Sequence, residues 1–140
     1  MIKSTAFEFI NRSVRTLATV TIALSAVVLY RNPADAAGDA NNGAAIFIRQ
    51  CSLCHTIAKG EPNRFGPNLF GIVDRKAGIA PGYKYSSAFL AMANWTWSPD
   101  SIASFVAAPA KTIPGNRMGV FQGIAERDEQ DLLAYLATQK

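Results

Sequence analysis

Hydrophobic and polar positions follow helical spacing in two well-separated segments of the chain. Within residues 38–51, Ala44, Phe47 and Ile48 give apolar positions at helical spacing. Asp39 precedes them in the position of an N-cap. In residues 126–139, leucines supply a buried face, and acidic residues gather in the first turn, where the helix dipole favours negative charge. The pattern therefore predicts a helix in each segment.

A third helix is predicted between these two from its start and stop signals. Ser98 can cap its N-terminus, and Pro99 suits the first helical position because that residue needs no backbone N–H. The helix runs to about Ala107 and ends before Pro109. Residues 56–84 are rich in glycine and proline, which indicates loops, and no alternating pattern of useful length predicts a strand. We therefore expect an all-α domain.

The N-terminus has the pattern of a targeting segment. The first sixteen residues carry three Lys or Arg, and a stretch of fourteen uncharged residues follows. Such a stretch is shorter than the roughly 20 apolar residues that span a bilayer, but it suits the apolar part of a secretory signal. An Ala-x-Ala pattern ends at Ala36, so we expect cleavage before Ala37. Residues 1–36 are therefore predicted to be an export signal and residues 37–140 a domain that works in the periplasm of a bacterium; an uncleaved membrane anchor is the alternative.

The composition and charge of the chain give information about its partners and about the size of its hydrophobic core. The 140 residues carry a net charge of +4, and four of the cations precede residue 37. Beyond that point ten Lys or Arg stand against eight Asp or Glu, with no basic run of the kind that tracks phosphates, so nucleic acid is not expected as a partner. A domain of this size with long loops has a small hydrophobic core and usually needs an additional stabilising cross-link or bound group. Two cysteines are too few for a disulfide framework.

The stretch CSLCH holds both cysteines, Cys51 and Cys54, and the only histidine, His55. A structural zinc site needs four Cys or His ligands, and the chain offers three. A thioredoxin-like redox pair belongs at a strand-to-helix junction, whereas this motif follows a predicted helix and precedes a loop. Two buried thiols beside an unrelated histidine are a further alternative.

Covalent haem attachment is the interpretation that the motif favours, because C-x-x-C-H is its signature. Thiols at Cys51 and Cys54 would face the same side of one helical turn, where each can form a thioether with a vinyl group. The next residue, His55, then falls beneath the iron as the proximal ligand. A large flat apolar cofactor would also fill the centre of a loop-rich domain, which answers the problem of the small core.

A haem that serves as a low-spin electron carrier needs a sixth ligand on its iron, and methionine is the candidate. A lone methionine is more often core than ligand, because its flexible side chain fills gaps. Met118 follows Pro114 and Gly115 in a loop that can deliver a side chain to the open face of the haem. Met92 is predicted to be core packing.

From about residue 38 to residue 139 the chain resembles class I c-type cytochromes, the mitochondrial and bacterial soluble cytochromes c. The similar stretches are GAAIFIRQCSLCHTI, GPNLFGIVDRKAGIAPGYKYS, the WTW before a helix, IPGNRM and DLLAYL, which follow the family's order. The resemblance implies three main helices and loops wrapped around one covalently bound haem c. It also implies a soluble, monomeric, non-enzymatic carrier of single electrons that meets its redox partners, a dehydrogenase, reductase or oxidase, in transient complexes.

The resemblance also assigns roles to individual residues. Cys51 and Cys54 match the thioether attachments, and His55 and Met118 match the axial ligands. Pro67 matches the proline whose carbonyl accepts a hydrogen bond from the proximal imidazole, an interaction that orients a metal-bound histidine.

Three further residues match positions around the haem propionates. Trp97 matches an indole that donates a hydrogen bond to a propionate, and Arg75 and Tyr85 match residues that contact these groups. The alternatives are that the two aromatic residues are ordinary core and that Arg75 is a solvated cation. Phe105 departs from the family pattern where many members have a tyrosine that hydrogen-bonds the methionine sulfur, and Asn116 replaces a threonine.

Several functional questions stay open at the level of sequence. An extra residue between Met118 and Phe121 puts in doubt whether Phe121 covers the haem edge. An enzyme with an open iron site and a haem subunit docked permanently to a larger complex are the rival functions. The surface cations predicted to surround the exposed haem edge and steer an acidic partner are Arg49, Lys59, Lys111 and Arg117, with solvated surface charges as the alternative.

Overall fold

The structure, a computed structural model, describes residues 38–140, and the predicted export signal in residues 1–36 lies outside them. Five helices follow one another in the described part of the chain, and none of these is long and apolar enough to cross a membrane. In chain order they are α1 (Ala40–Gln50), α2 (Ser87–Met92), α3 (Pro99–Ala107), α4 (Pro109–Thr112) and α5 (Glu126–Thr138).

The three longest helices begin where the sequence predicts. The Asp39 carboxylate accepts from the backbone N–H groups of Asn41, at 2.8 Å, and Asn42, at 3.4 Å, which would otherwise lack partners at the start of α1. At α3, the Ser98 side chain accepts from the backbone N–H of Ser101 at 3.2 Å, and the Ser101 hydroxyl accepts in return from the Ser98 backbone N–H. Both predicted caps are confirmed.

Two short helices were not predicted. The six residues of α2 begin after Ser86, whose hydroxyl accepts from the backbone N–H of Phe89 at 3.2 Å. The four residues of α4 begin at Pro109 and make a single turn. Segments this short do not repeat a hydrophobic position often enough for periodicity to reveal them.

Helices α1 and α5 cross in close contact and form the framework of the domain. Gly43 lies so near the backbone of α5 that a Cβ at this position would be 2.7 Å from the Cβ of Tyr135. Ile46 and Leu132 are buried at the crossing, and the Phe47 and Tyr135 rings lie 5.7 Å apart. The contact fixes the C-terminal end of α1, where the CSLCH motif starts.

Loops account for the long stretch between α1 and α2. The β pairing within residues 38–140 is one isolated antiparallel bridge between Lys76 and Thr96, so the all-α prediction is confirmed. Aromatic side chains of α2, α3 and the preceding loop form a continuous group in the core: Phe89, Trp95, Trp97 and Phe105.

Candidate functional site

A cavity of about 430 Å³ lies between the helices and the loops that join them. Side chains of α1, α2, α3 and α5 line it together with the loops that follow α1 and α4, and most of these side chains are apolar. The eight residues predicted from the sequence all line this cavity: Cys51, Cys54, His55, Pro67, Arg75, Tyr85, Trp97 and Met118. The structure therefore brings the predicted set together at one place.

The two cysteines lie on the turn that continues α1. The backbone N–H groups of Cys54 and His55 both donate to the carbonyl of Cys51, at 3.0 and 2.9 Å, so the chain keeps a helical turn through the motif. Both thiols are free and half-buried. Burial, with a smaller contribution from Cys54, raises the pKa of Cys51 to about 11, so this thiol is neutral at physiological pH.

The side chain of His55 is fixed by burial and by a hydrogen bond. Its imidazole is 8% exposed, and Nδ1 lies 2.8 Å from the carbonyl oxygen of Pro67. A carbonyl can only accept, so Nδ1 carries the proton and Nε2 keeps a lone pair that can bind a metal. Burial lowers the pKa of His55, although the bond to Pro67 opposes this shift. The lowered pKa favours the neutral imidazole, which is the form that binds a metal.

The loop behind the imidazole leaves no spare room. The Gly66 backbone N–H donates to the carbonyl of Cys54 at 2.7 Å, and a Cβ on Gly66 would lie 2.6 Å from Nδ1 of His55. The Asn68 side chain donates to Thr56 Oγ1 at 2.8 Å and to the carbonyl of Ala58 at 3.0 Å. These contacts fasten the loop against the turn that carries His55.

Met118 reaches the same cavity from the loop between α4 and α5. Its side chain is half-buried, and its backbone N–H donates to Oδ1 of the buried Asn116 at 2.6 Å. Gly115 precedes the pair with φ of +83°, a conformation that side chains disfavour. Met92 ends α2, is 47% exposed and does not line the cavity, so its prediction as core packing is wrong.

Two phenylalanines complete the wall near Met118. Phe121 lines the cavity despite the extra residue in this loop. Phe105 is buried on the wall, and its ring contacts those of Phe89 and Trp97 edge to face. A phenyl ring has no group that could donate a hydrogen bond to the methionine sulfur.

The polar residues on the wall are positively charged or neutral. Arg75 donates to the carbonyls of Phe70, at 3.1 Å, and Asn68, at 3.0 Å, which holds its guanidinium at the wall. Burial lowers the pKa of Arg75, and the nearby Tyr85 opposes this effect. Together with Arg117, Arg75 gives the wall two guanidinium groups, and the residues that line the cavity include no carboxylate.

The two predicted aromatic contacts also have partners within the protein. The Tyr85 hydroxyl accepts from the backbone N–H of Ala80 at 3.3 Å, and its ring stacks on Phe89 with centroids 4.9 Å apart. Trp97 is buried on the wall. Its backbone N–H donates to the carbonyl of Arg75 at 2.9 Å, so the position of the indole is coupled to that of the guanidinium.

The cavity has lining residues that were not predicted from the sequence. Phe65 and Val120 line it yet are 81% and 85% exposed, so they stand at its mouth. Tyr83 also lines it, and its hydroxyl donates to the carbonyl of Phe65 at 2.8 Å. Burial raises the pKa of Tyr83, and neighbouring Arg117 opposes the shift, so the two side chains lie close together. The repeated tyrosine in GYKY was the one signal that could have revealed Tyr83.

The four surface cations predicted to steer a partner differ in their position relative to the cavity. Arg117 lines the cavity, whereas Arg49, Lys59 and Lys111 are not among its lining residues. Lys59 lies over the ring of Phe70, with Nζ 6.0 Å from the ring centroid. The steering of a partner by these cations stays a prediction.

The residues present fit a haem. A neutral imidazole and a thioether sulfur are suitable axial ligands, and two thiols on one turn are suitable attachments. The apolar lining suits the porphyrin, and two guanidinium groups on a wall free of carboxylates suit its two propionates.

Comparisons with known proteins agree with this fit. The sequence model of the cytochrome c family matches residues 40–140. The chain is 40% identical over 103 residues to "Cytochrome c2" of Rhodopila globiformis, which covers 74% of this chain and 95% of that protein. It is 44% identical over 102 residues to "Cytochrome c2" of Agrobacterium tumefaciens (strain II Chrys), covering 71% and 90%.

Similarity extends beyond bacteria. The chain is 41% identical over 100 residues to "Cytochrome c" of Sesamum indicum, which covers 71% of this chain and 88% of the plant protein. In each case nearly the whole relative is covered by the part of the chain that contains the cavity. The chain therefore belongs to the cytochrome c family, as a class I c-type cytochrome.

Proposed function

We propose that this protein carries single electrons between redox partners through one haem c, held by Cys51, Cys54, His55 and Met118. The observation that carries the proposal is the meeting of these four side chains on the wall of one apolar cavity. His55 and Met118 come from segments far apart in the chain, so a shared wall is not a consequence of sequence proximity.

Each residue has a defined part in this function. Cys51 and Cys54 hold the cofactor through thioether bonds. His55 supplies Nε2 to the iron, and Pro67 orients the ring through the proton on Nδ1. Met118 supplies a soft sulfur ligand, which favours the reduced metal. When bound, haem c supplies an iron that alternates between Fe(II) and Fe(III), the one-electron chemistry of the carrier.

Three other residues are proposed to receive the propionates. Arg75 offers a guanidinium whose position is fixed by two backbone carbonyls, and Trp97 and Tyr85 lie on the same wall. Burial beside a cation lowers the cost of bringing a carboxylate out of water. These residues also exclude water, which disfavours the extra positive charge on the oxidised iron and raises the reduction potential.

A carrier is favoured over an enzyme by what surrounds the cavity. Of the side chains that line it, His55 is the only imidazole, and it is already used by Pro67 and the metal; no aspartate or glutamate is among them. Acid–base catalysis at an iron-bound substrate needs such a group within hydrogen-bond reach. With His55 and Met118 both holding the iron, no position on the metal would be left for a substrate.

Partners are proposed to dock at the mouth of the cavity, where Phe65 and Val120 are exposed and Arg117 adds positive charge. An apolar centre with a cation beside it suits brief contact with a redox protein that presents acidic groups, over an interface below about 1,200 Å². We further propose that residues 1–36 direct export and are removed before Ala37, which leaves a monomer in the periplasm of a bacterium. The charged and then apolar N-terminal pattern supports this, as does the similarity to bacterial cytochromes c2.

The assignment of the sixth ligand can be tested with two methionine variants. In Met118→Ala, cyanide should bind the oxidised protein with an apparent affinity at least about tenfold higher, because the intrinsic ligand no longer competes. Met92→Ala is the matched control, since it removes the other methionine of the domain, on an exposed helix end, and should bind cyanide like the wild type. The reverse result would assign the iron to Met92 and disprove the proposed ligand set.

A further inference from the structure

We propose that the side-chain amide of Asn116 is a positioning residue for Met118, a clamp that sets how readily the sulfur leaves the metal. The inference rests on the proposed ligand set and adds a device that controls it. Asn116 is two residues from Met118 and is itself on the wall of the cavity.

The amide makes hydrogen bonds in three directions. Its Nδ2 donates to the carbonyl of Pro109 at 2.7 Å and to that of Ile113 at 2.6 Å, and its Oδ1 accepts from the backbone N–H of Met118 at 2.6 Å. An amide has two N–H hydrogens and can use both while its oxygen accepts. One side chain therefore ties the backbone of Met118 to two other parts of the chain.

The residues whose carbonyls anchor this clamp are buried in the core. Pro109 and Ile113 are both fully buried at the ends of the one-turn helix α4, and Asn116 is only 9% exposed. Polar groups at such depth lose water and need partners within the protein. Breaking the clamp leaves the backbone N–H of Met118 without its partner, whereas the carbonyls of Pro109 and Ile113 each keep one backbone hydrogen bond. The clamp thus resists displacement of the segment that carries Met118.

Within residues 38–140 no hydrogen bond holds the Met118 side chain, and the phenyl ring of Phe105 can donate none from the wall. The next backbone hydrogen bond from this segment to a long helix is that of the Ile124 N–H, which donates to the carbonyl of Val106 at 3.2 Å. Retention of the ligand therefore depends on how firmly its backbone is held.

Asparagine suits this task better than the residues closest to it in size. Aspartate would place a carboxylate against two carbonyl oxygens and lose both donors. Threonine has one hydroxyl donor, which can satisfy only one of the two carbonyls. The substitution Asn116→Thr should therefore weaken the clamp without removing it, and Asn116→Ala should remove it.

The test measures cyanide binding to the oxidised holoprotein beside denaturant unfolding. The hydrogen bonds lost in each variant set the scale of the opening equilibrium. Asn116→Ala should accelerate cyanide binding roughly 10- to 100-fold, and Asn116→Thr roughly 3- to 10-fold. If the alanine variant yields no holoprotein, the threonine variant decides the question.

Asn68→Ala is the matched control, because it removes a similar amide network from the His55 side of the cavity. Its Nδ2 donates to Thr56 and Ala58, and its Oδ1 accepts from the backbone N–H of Phe70. This variant should lose stability yet bind cyanide within about twofold of the wild-type rate, since global unfolding is far rarer than local opening. Equal acceleration in Asn68→Ala and Asn116→Ala, or none in Asn116→Thr, would overturn the clamp.

Met118→Ala separates failure of the clamp from failure of the ligand assignment. If Met118→Ala opens the iron to cyanide and neither Asn116 variant does, Met118 is the ligand and the clamp is wrong. If Met118→Ala itself binds cyanide like the wild type, the proposed ligand set fails, and the clamp fails with it.

Discussion

The two sides of the cavity are built in different ways. The proximal segment, residues 51–68, continues a long helix, and its key side chain, His55, is itself hydrogen-bonded and buried. The distal segment, residues 113–124, is a loop in which the backbone of Met118 is held but its half-buried side chain is not. An imidazole has a second nitrogen that can be tied down, whereas a thioether has no donor with which to do so.

This difference shows how one small domain can join a permanent ligand to an exchangeable one. On the proximal side the ligand, its orienting carbonyl and both attachment sites lie within one short segment, so they move together. On the distal side the ligand depends on contacts of its neighbours, and local opening there costs less than global unfolding. The comparison predicts that substitutions in the proximal segment change whether the holoprotein forms, and those in the distal segment change how long the iron stays closed.

A matched pair of glycines gives the largest expected contrast. In Gly66→Ala the new Cβ would collide with the imidazole of His55, which cannot retreat without losing Pro67, so the free energy of unfolding should fall by roughly 3 kcal/mol or more. In Gly119→Ala the nearest atom is the Asn116 carbonyl oxygen at 3.3 Å, and the cost should be about 1 kcal/mol or less.

Yield of holoprotein, thermal unfolding and cyanide binding together evaluate this pair. Gly66→Ala should give little or no native haem protein, whereas Gly119→Ala should give normal yield with faster cyanide binding. Equal yields with equal stability would show that the proximal segment is not the more constrained of the two.

Thr56 provides a smaller test on the proximal side. Its buried hydroxyl donates to the carbonyl of Pro62 at 2.9 Å and accepts from the Asn68 side chain at 2.8 Å. The isosteric substitution Thr56→Val leaves both groups short of a partner and should lower the free energy of unfolding by about 1–3 kcal/mol, measured with denaturant.

The same variant should leave cyanide binding unchanged, because no hydrogen bond of Thr56 within residues 38–140 goes to the distal segment. Ser52 serves as the control: its exposed hydroxyl donates to a carbonyl within its own turn, so Ser52→Ala should alter neither property. Acceleration of cyanide binding in Thr56→Val would mean that the two sides open as one unit.

Local chemistry explains what could be predicted from the sequence. The caps at Asp39 and Ser98 act within a few residues, so they can be predicted from the sequence and are confirmed. The spacing of CSLCH is local in the same way, and the helical turn it implies is present. Met118 is predicted from its loop and from the resemblance, and Pro67 from the resemblance alone; the structure places both on the cavity wall with the motif.

Contacts between distant residues could not be predicted in the same way. The partners of the Asn116 amide depend on where α4 ends, and that helix is too short to show a period. Exposure of Phe65 and Val120 depends on which side of a loop faces water, and that of Met92 on which side of the short helix α2 does, whereas hydrophobicity alone suggests burial. The contact of Lys59 with the ring of Phe70 likewise follows from no local pattern.

The smallest expected effect concerns the α1–α5 framework that supports both sides. The Asp131 carboxylate accepts from the Asp39 backbone N–H at 2.6 Å and from the Asn42 side chain at 2.5 Å. The bond from Asp39, and to a smaller extent that from Asn42, holds the pKa of Asp131 below its usual value. The carboxylate therefore stabilises the fold above its ordinary pKa, and this contribution is lost as pH falls through the lowered value.

Asp131→Asn removes this titration while it keeps the shape of the side chain and one oxygen acceptor. At neutral pH the Tm should fall by less than about 4 °C, since the group is at the surface, and the difference from wild type should shrink as pH falls below about 4. Cyanide binding should not change at either pH. A change in cyanide binding would show that opening of the distal segment depends on the crossing of α1 and α5. The difference between the two sides of the cavity would then come from the helix framework and not from the loops.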